Sequence, residues 1–292
     1  MGRAIGVLAV EHVAVGLIED NRVAGALHLY PEKGRELAAL REMPAETIAQ
    51  CVCEQIEAVG KGLAVESIGI GFPGIIRDGL IEESPNLQQV KGFQLGASLS
   101  SELSKRGISA PVHVFNDADV MAAGIAATRR NLGDGIGFGR YPWAEGVWEG
   151  GHCVVTLDPK EHFCGCGGRG HLEGIMGHRS MRLRFLDMEP EEVFENARAG
   201  DSRCVTFVRM WHRALAAATA TSIHMDGPGK FFISGPNSKY IDMRLLNMYV
   251  QEMVKMSPLQ GSLFELVSVS DEIGVIGAAV NAQSRTRLTN DD

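Results

Sequence analysis

The chain has 292 residues, enough for two lobes of ordinary size with a cleft between them. A composition that is 45% apolar and 22% charged describes a soluble globular protein, and a net charge of −8 with no sustained Lys/Arg stripe excludes a general nucleic-acid surface. No stretch reaches membrane-spanning length and the first residues carry neither an export nor a myristoylation signal, so the six cysteines are expected to be reduced thiols of a cytoplasmic protein.

Strands and helices alternate along the chain. Ala4 to Val10, Val13 to Glu19 and Arg22 to Leu29 are short β-branched runs that predict an opening antiparallel meander. From Pro44 to Val59 the residues Ile48, Val52, Ile56 and Val59 share one helical face, and Gly60 is the stop. Cys51 and Cys53 point in different directions on that helix and read as packing residues. Val65 to Gly71 predicts a buried strand ending in G-F-P-G, Leu95 to Arg106 an amphipathic helix, and Val112 to Phe115 a strand running straight into Asn116 and Asp117. Asp119 to Arg130 has helical character, whereas residues 131–147 are glycine-rich and short of strand formers.

Gly151 to Glu173 carries the strongest chemical signal, with His152, Cys164, Cys166 and His171 inside one short segment. Zinc prefers a tetrahedral shell of thiolate and imidazole, and Cys-x-Cys followed by His closes three corners from one tight loop, leaving His152 for the fourth. A closed shell of this kind makes the metal structural. Further on, Glu191 to His224 is helical with a face through Val193, Ala197, Val205, Val208, Trp211, Leu215 and Ala218. Lys230 to Ser234 and Leu263 to Val269 predict strands, Leu245 to Met256 and Ile273 to Ala282 helices, and Gln283 to Asp292 a frayed polar tail. The pattern is α/β, with one lobe over 1–117 and a second over 118–292 that contains the zinc loop at 149–173; the terminal helix, 272–283, can pack back on the first lobe.

In order, I-G-I-G-F-P-G (68–74), S-P-N-L (84–87), F-N-D-A-D (115–119), L-G-D-G-I-G (132–137), E-G-G-H (149–152) and C-G-C-G-G-R-G-H-L-E (164–173) resemble the ROK family of repressors, open reading frames and kinases. F-F-I-S-G-P-N (231–237) and D-E-I-G-V-I-G-A-A (271–279) resemble its closing motifs. The resemblance implies a two-lobed, actin-like ATPase fold of the ribonuclease-H type, with a sugar in the cleft, ATP and Mg²⁺ mainly against the second lobe, and a homodimer. Phosphorylating a hydroxyl needs a carboxylate to orient it and accept its proton, and Asp117 matches the family's base. Asn116, Glu149, His152 and Glu173 match its sugar contacts, and Gly74 and Asn86 the cleft floor. Gly133, Asp134, Gly135 and Gly137 match the second phosphate loop, and Gly235 the third. His171 stands where the family usually has Cys.

The nucleotide side departs from the pattern. Where family kinases have D-x-G-G-T, this chain has V-L-A-V-E at positions 7 to 11, so Ala9 and Val10 should hinder close backbone approach and Glu11 should repel phosphate. Asp134 replaces the usual Thr, Pro236 removes a backbone donor, and the interval from Asp117 to Gly133 is short by one strand. Two functions stay open: an ATP-dependent kinase of a hexose or N-acetylhexosamine, or a kinase-like protein that binds or senses sugar without phosphorylating it. A repressor of the same family would need a helix-turn-helix ahead of a first strand that here is expected by residue 5.

Overall fold

A computed structural model describes residues 2–32, 39–84, 87–128, 135–136, 140–141, 150–226, 229–255, 264–268 and 270–290. The chain divides into two compact units, residues 1–148 with 270–292 and residues 149–269. Among the described residues no helix is long and apolar enough to cross a membrane.

The first unit opens with strands β1 (Ala4–Ala9) and β2 (Val13–Glu19) in an antiparallel hairpin. The third predicted strand is instead two short ones, β3 (Arg22–Val23) and β4 (His28–Tyr30), both paired to β2, because the chain leaves the ladder at Gly25 with φ of 94°. Helix α1 (Ala45–Gly60) leads to β5 (Ser67–Phe72), the hairpin β6 (Ile75–Arg77) and β7 (Leu80–Glu83), helix α2 (Leu95–Lys105) and β8 (Val112–Asn116). The sheet order is β3-β2-β1-β5-β8, with β4 also on β2, and β1, β5 and β8 run parallel. Every residue of β5 is buried, as expected of a parallel strand covered on both faces. On one face Ile48, Val52 and Ile56 of α1 and Leu99 and Leu103 of α2 join Ile5, Val7, Ile68 and Ile70 in one core.

The C-terminal helix, Asp271–Asn290, packs on the other face with Val275, Ile276 and Ala279. It lies against the sheet at backbone distance, since a Cβ on Gly69 would stand 1.8 Å from the Ala278 carbonyl oxygen. Its end corrects the expected frayed tail: the helix continues to Asn290, with Gln283 donating to the Gly2 carbonyl (3.0 Å) and His113 Nε2 3.0 Å from the Thr286 hydroxyl. The expected division after Asp117 also falls elsewhere. Helix α3 (Asp117–Thr128) packs on the C-terminal helix so closely that a Cβ on Gly277 would stand 1.7 Å from the Val120 carbonyl oxygen, which keeps α3 in the first unit. Two short strands follow, β9 (Gly135–Ile136) and β10 (Arg140–Tyr141), paired antiparallel.

The second unit contains helices α4 (Leu172–Met176), α5 (His178–Arg184), α6 (Pro190–Arg198) and α7 (Ser202–Asp226). The single helical region expected over 191–224 is broken between α6 and α7 at Gly200, whose φ is 94°. Asp201 restarts the helix by accepting from the Cys204 amide at 2.8 Å. Trp211, Phe207 and Cys204 of α7 close a core with Val193, Phe194, Leu172, Met181 and Tyr240. Strand β11 (Phe231–Ile233), helix α8 (Met243–Met253) and strand β12 (Phe264–Leu266) complete the unit, with β11 and β12 parallel.

Candidate functional site

In the first unit the chemistry gathers where β8 ends and α3 begins. Asn116 Oδ1 accepts from the Ala118 amide (2.8 Å) and its Nδ2 donates to the Gly74 carbonyl (2.9 Å). Asn116 therefore caps α3, which leaves one N–H and one lone pair for a ligand. Asp117 is the first residue of α3, at the end of the helix where the backbone N–H groups point outward. The adjoining loop is tightly packed. Gly74 has φ of 121°, a Cβ there would stand 2.1 Å from the Glu83 carbonyl oxygen, and the buried Ser84 hydroxyl donates to the Pro73 carbonyl at 2.9 Å.

The β1–β2 hairpin closes through a contact from the Val10 amide to the His12 carbonyl (3.3 Å), and the Glu11 carbonyl accepts from the Leu40 amide (3.4 Å). The Ala9 side chain is buried in the core, so any obstruction to a phosphate comes from Val10, Glu11 and His12 rather than from Ala9, contrary to the expectation for that residue. His12 Nε2 lies 3.0 Å from Asp271 Oδ2, joining the hairpin tip to the start of the C-terminal helix. The sequence gives no local sign of this pair, whose members are 259 residues apart. Asn86, Gly133, Asp134, Gly137 and Glu149 lie outside the described residues, while Gly135 begins β9. In the second unit Gly235, with φ of 96°, precedes the short helical turn Pro236–Tyr240.

The second unit brings His152, Cys164, Cys166 and His171 together, with one ligand atom from each within 4.8 Å of the others. Cys164 Sγ is 3.3 Å from Cys166 Sγ, and Cys166 Sγ is 3.2 Å from His171 Nδ1. Local backbone pairing produces the cluster: the Leu172 amide donates to the Cys153 carbonyl (3.0 Å) and the Val155 amide to that of Gly170 (2.8 Å), which lays the His152 segment along the His171 segment. Two thiols and two imidazoles this close match the donor set and size of a tetrahedral zinc site. Burial, with the neighbouring thiol and Glu173 adding to it, pushes the Cys164 thiol up to about 12, so an ion entering here must displace its proton. Burial likewise raises Cys51, Cys53 and Cys204 to about 11, as expected of thiols used for packing.

Glu173, in the first turn of α4, places Oε2 3.1 Å from His152 Nε2 and 3.8 Å from Cys164 Sγ. One carboxylate oxygen reaches both a histidine and a cysteine of the cluster. Glu173 is thus tied to the metal cluster while its side chain stays 46% exposed and able to meet a ligand. Sequence reasoning missed Glu161 and Arg184, which form a part-buried ion pair beside this loop.

The ROK family model matches residues 26–285, and the chain belongs to the ROK family. It is 28% identical over 256 residues to the glucokinase of Pyrobaculum calidifontis, covering 78% of this chain and 82% of that protein. It is 25% identical over 252 residues to an N-acetylmannosamine kinase of Haemophilus influenzae, covering 76% and 81%. The crystal structure of a ROK hexokinase from Thermus thermophilus superposes with a TM-score of 0.77 at 21% identity, over 98% of this chain and 99% of that one. The fold is the actin-like ATPase fold of the ROK sugar kinases.

Proposed function

We propose that this protein is a sugar kinase that moves the γ-phosphoryl group of ATP to a hydroxyl of a hexose or N-acetylhexosamine. The observation that carries the reading is Asp117, a carboxylate at a helix start whose neighbour Asn116 is locked to the Gly74 loop. In this reading Asp117 orients the sugar hydroxyl and takes its proton as the oxygen bonds to phosphorus and ADP departs. The remaining valences of Asn116, with Gly74, Asn86, Glu149, His152 and Glu173, recognise the other hydroxyls. Gly133, Asp134, Gly135, Gly137 and Gly235 receive the nucleotide and Mg²⁺. Zinc on His152, Cys164, Cys166 and His171 supplies no chemistry to the transfer; it stiffens the loop that presents Glu173. The glucokinase and N-acetylmannosamine kinase relatives support this substrate class. The reading also places the protein in the reducing cytoplasm as a homodimer, which light scattering tests.

One observation favours the second reading, a sugar-binding protein without phosphoryl transfer. The hairpin that would face the phosphates carries Val10, Glu11 and His12 and is fastened to Asp271. A screen of hexoses and N-acetylhexosamines with and without Mg-ATP, reading thermal stabilisation and nucleotide consumption together, separates the two. Sugar-dependent ATP consumption supports the kinase; stabilisation by sugar with no consumption supports the sensor and removes the kinase.

A further inference from the structure

We infer that Arg184 and Glu161 are positioning residues that hold the metal loop and Glu173 in one register, and so set both metal retention and sugar affinity. The pair lies outside the ligand set. Glu161 precedes Cys164 by three residues and is only 7% exposed; Arg184 closes α5. Arg184 Nη1 donates to Glu161 Oε1 at 2.9 Å, and Nη2 donates to the other carboxylate oxygen and to the Gly174 carbonyl (3.4 Å), one residue beyond Glu173. The guanidinium rests over the Phe163 ring, 4.2 Å from its centroid.

The backbone carries the clamp to the segments that hold Cys164 and His171. The Glu161 carbonyl accepts from the Gly170 amide at 2.7 Å, immediately before His171. The Ser180 hydroxyl of α5 donates to the Phe163 carbonyl (3.0 Å), immediately before Cys164. A Cβ on Gly174 would stand 3.0 Å from the Cys164 amide nitrogen, so the helix bearing Glu173 touches the first cysteine directly. One planar fork thereby fixes, in angle as well as distance, the segments that carry Cys164, His171 and Glu173. An apolar pair of similar volume serves stability as well as a buried ion pair does, but it cannot impose that angle.

The sugar half of this inference rests on Glu173 as a sugar contact; the metal half does not. The test replaces both charges, Arg184→Met with Glu161→Met, and follows zinc release to a chromogenic chelator, sugar affinity and thermal midpoint in the full chain. The variant is expected to fold with a midpoint close to the parent's, to release zinc about ten-fold faster and to bind sugar about ten-fold more weakly, the scale at which partners behind metal ligands act. Should it fail to fold, Arg184→Lys, which keeps the charge and loses the fork, decides on the same readouts. A folded variant that releases zinc at the parent's rate overturns the proposal, as does a parent that holds no zinc. A parent that holds zinc and binds no sugar removes the sugar reading and leaves the zinc comparison to decide.

Discussion

At Asp117 the proposed function rests on one proton. Asp117→Asn keeps the shape and the start of α3, so sugar affinity should stay within a few fold while turnover falls by about two to four powers of ten, the usual contribution of a general base. Glu173→Ala should instead weaken sugar binding. Calorimetric titration beside a coupled ADP assay measures both, and turnover unaffected by Asp117→Asn removes the base assignment. For the metal, elemental analysis should find about one zinc per chain, the number a single tetrahedral ligand set holds. His171→Cys should retain it, because thiolate and imidazole both serve zinc, and Cys166→Ser should lose it. That these four side chains cluster was legible because they stand close in sequence with glycines between them. Asn116 was less so. Asn-Asp at a strand-to-helix junction fits a helix cap and a sugar ligand equally well, and only the contact with Gly74 reveals how much of its bonding capacity is already used.

For the elements, periodicity found most helices and strands, and it failed where distant contacts or one glycine decide the outcome. A glycine within an apolar helical face is tolerated often enough that Gly200 gave no clear break, and the helix beyond Gln283 depends on partners at Gly2 and His113. The β1–β2 hairpin yields a prediction about the nucleotide. Its tip cannot offer the close backbone N–H groups of a glycine loop, and losing two charge-assisted hydrogen bonds should weaken ATP by roughly two to four powers of ten relative to ordinary family kinases. Isothermal titration with Mg-ATP measures this; tight binding with phosphates seated against residues 7 to 11 contradicts it. The C-terminal helix yields another. Gly277→Ala gains about 1 kcal/mol of helix propensity, yet the new Cβ would stand 1.7 Å from the Val120 carbonyl oxygen. Forcing α3 away should cost about 1–3 kcal/mol. The net expectation is a lower thermal midpoint, and a midpoint above the parent's would show that the two helices are not in backbone contact.

The whole molecule should lose stability on mild acidification, in part through one buried imidazole. His212 Nδ1 donates to the Val208 carbonyl (2.8 Å) and Nε2 accepts from the Asp242 amide (2.9 Å), so the ring is neutral and joins α7 to the start of α8. Burial holds its pKa below the ordinary histidine range. Since the unfolded chain then binds the proton more readily, this contribution is complete above the unfolded value of about 6.5 and is lost as pH falls below it, by at most about 1.4 kcal/mol per pH unit. Urea unfolding between pH 5 and pH 7 should show a shallower loss in His212→Gln than in the parent; equal slopes would assign the acid sensitivity to other groups. The overall division was partly legible. Two α/β halves follow from the alternation of elements, and the terminal helix was expected to pack back on the first; where the division falls, with α3 kept in the first unit, depends on helix packing that no local pattern shows.

That return has a consequence for how the chain is made. The second unit is one continuous stretch, residues 149–269, and the first is not, because one face of its sheet, covered in part by α3, lacks the rest of its cover until residues 271–290 exist. During synthesis the metal-loop unit can therefore complete its core while β1 and β5 still wait for their cover, so the segment translated first is the last to be finished. A nascent chain halted near residue 269 would present the apolar face of Ala4, Ala14 and Ile18 to whatever binds exposed strands.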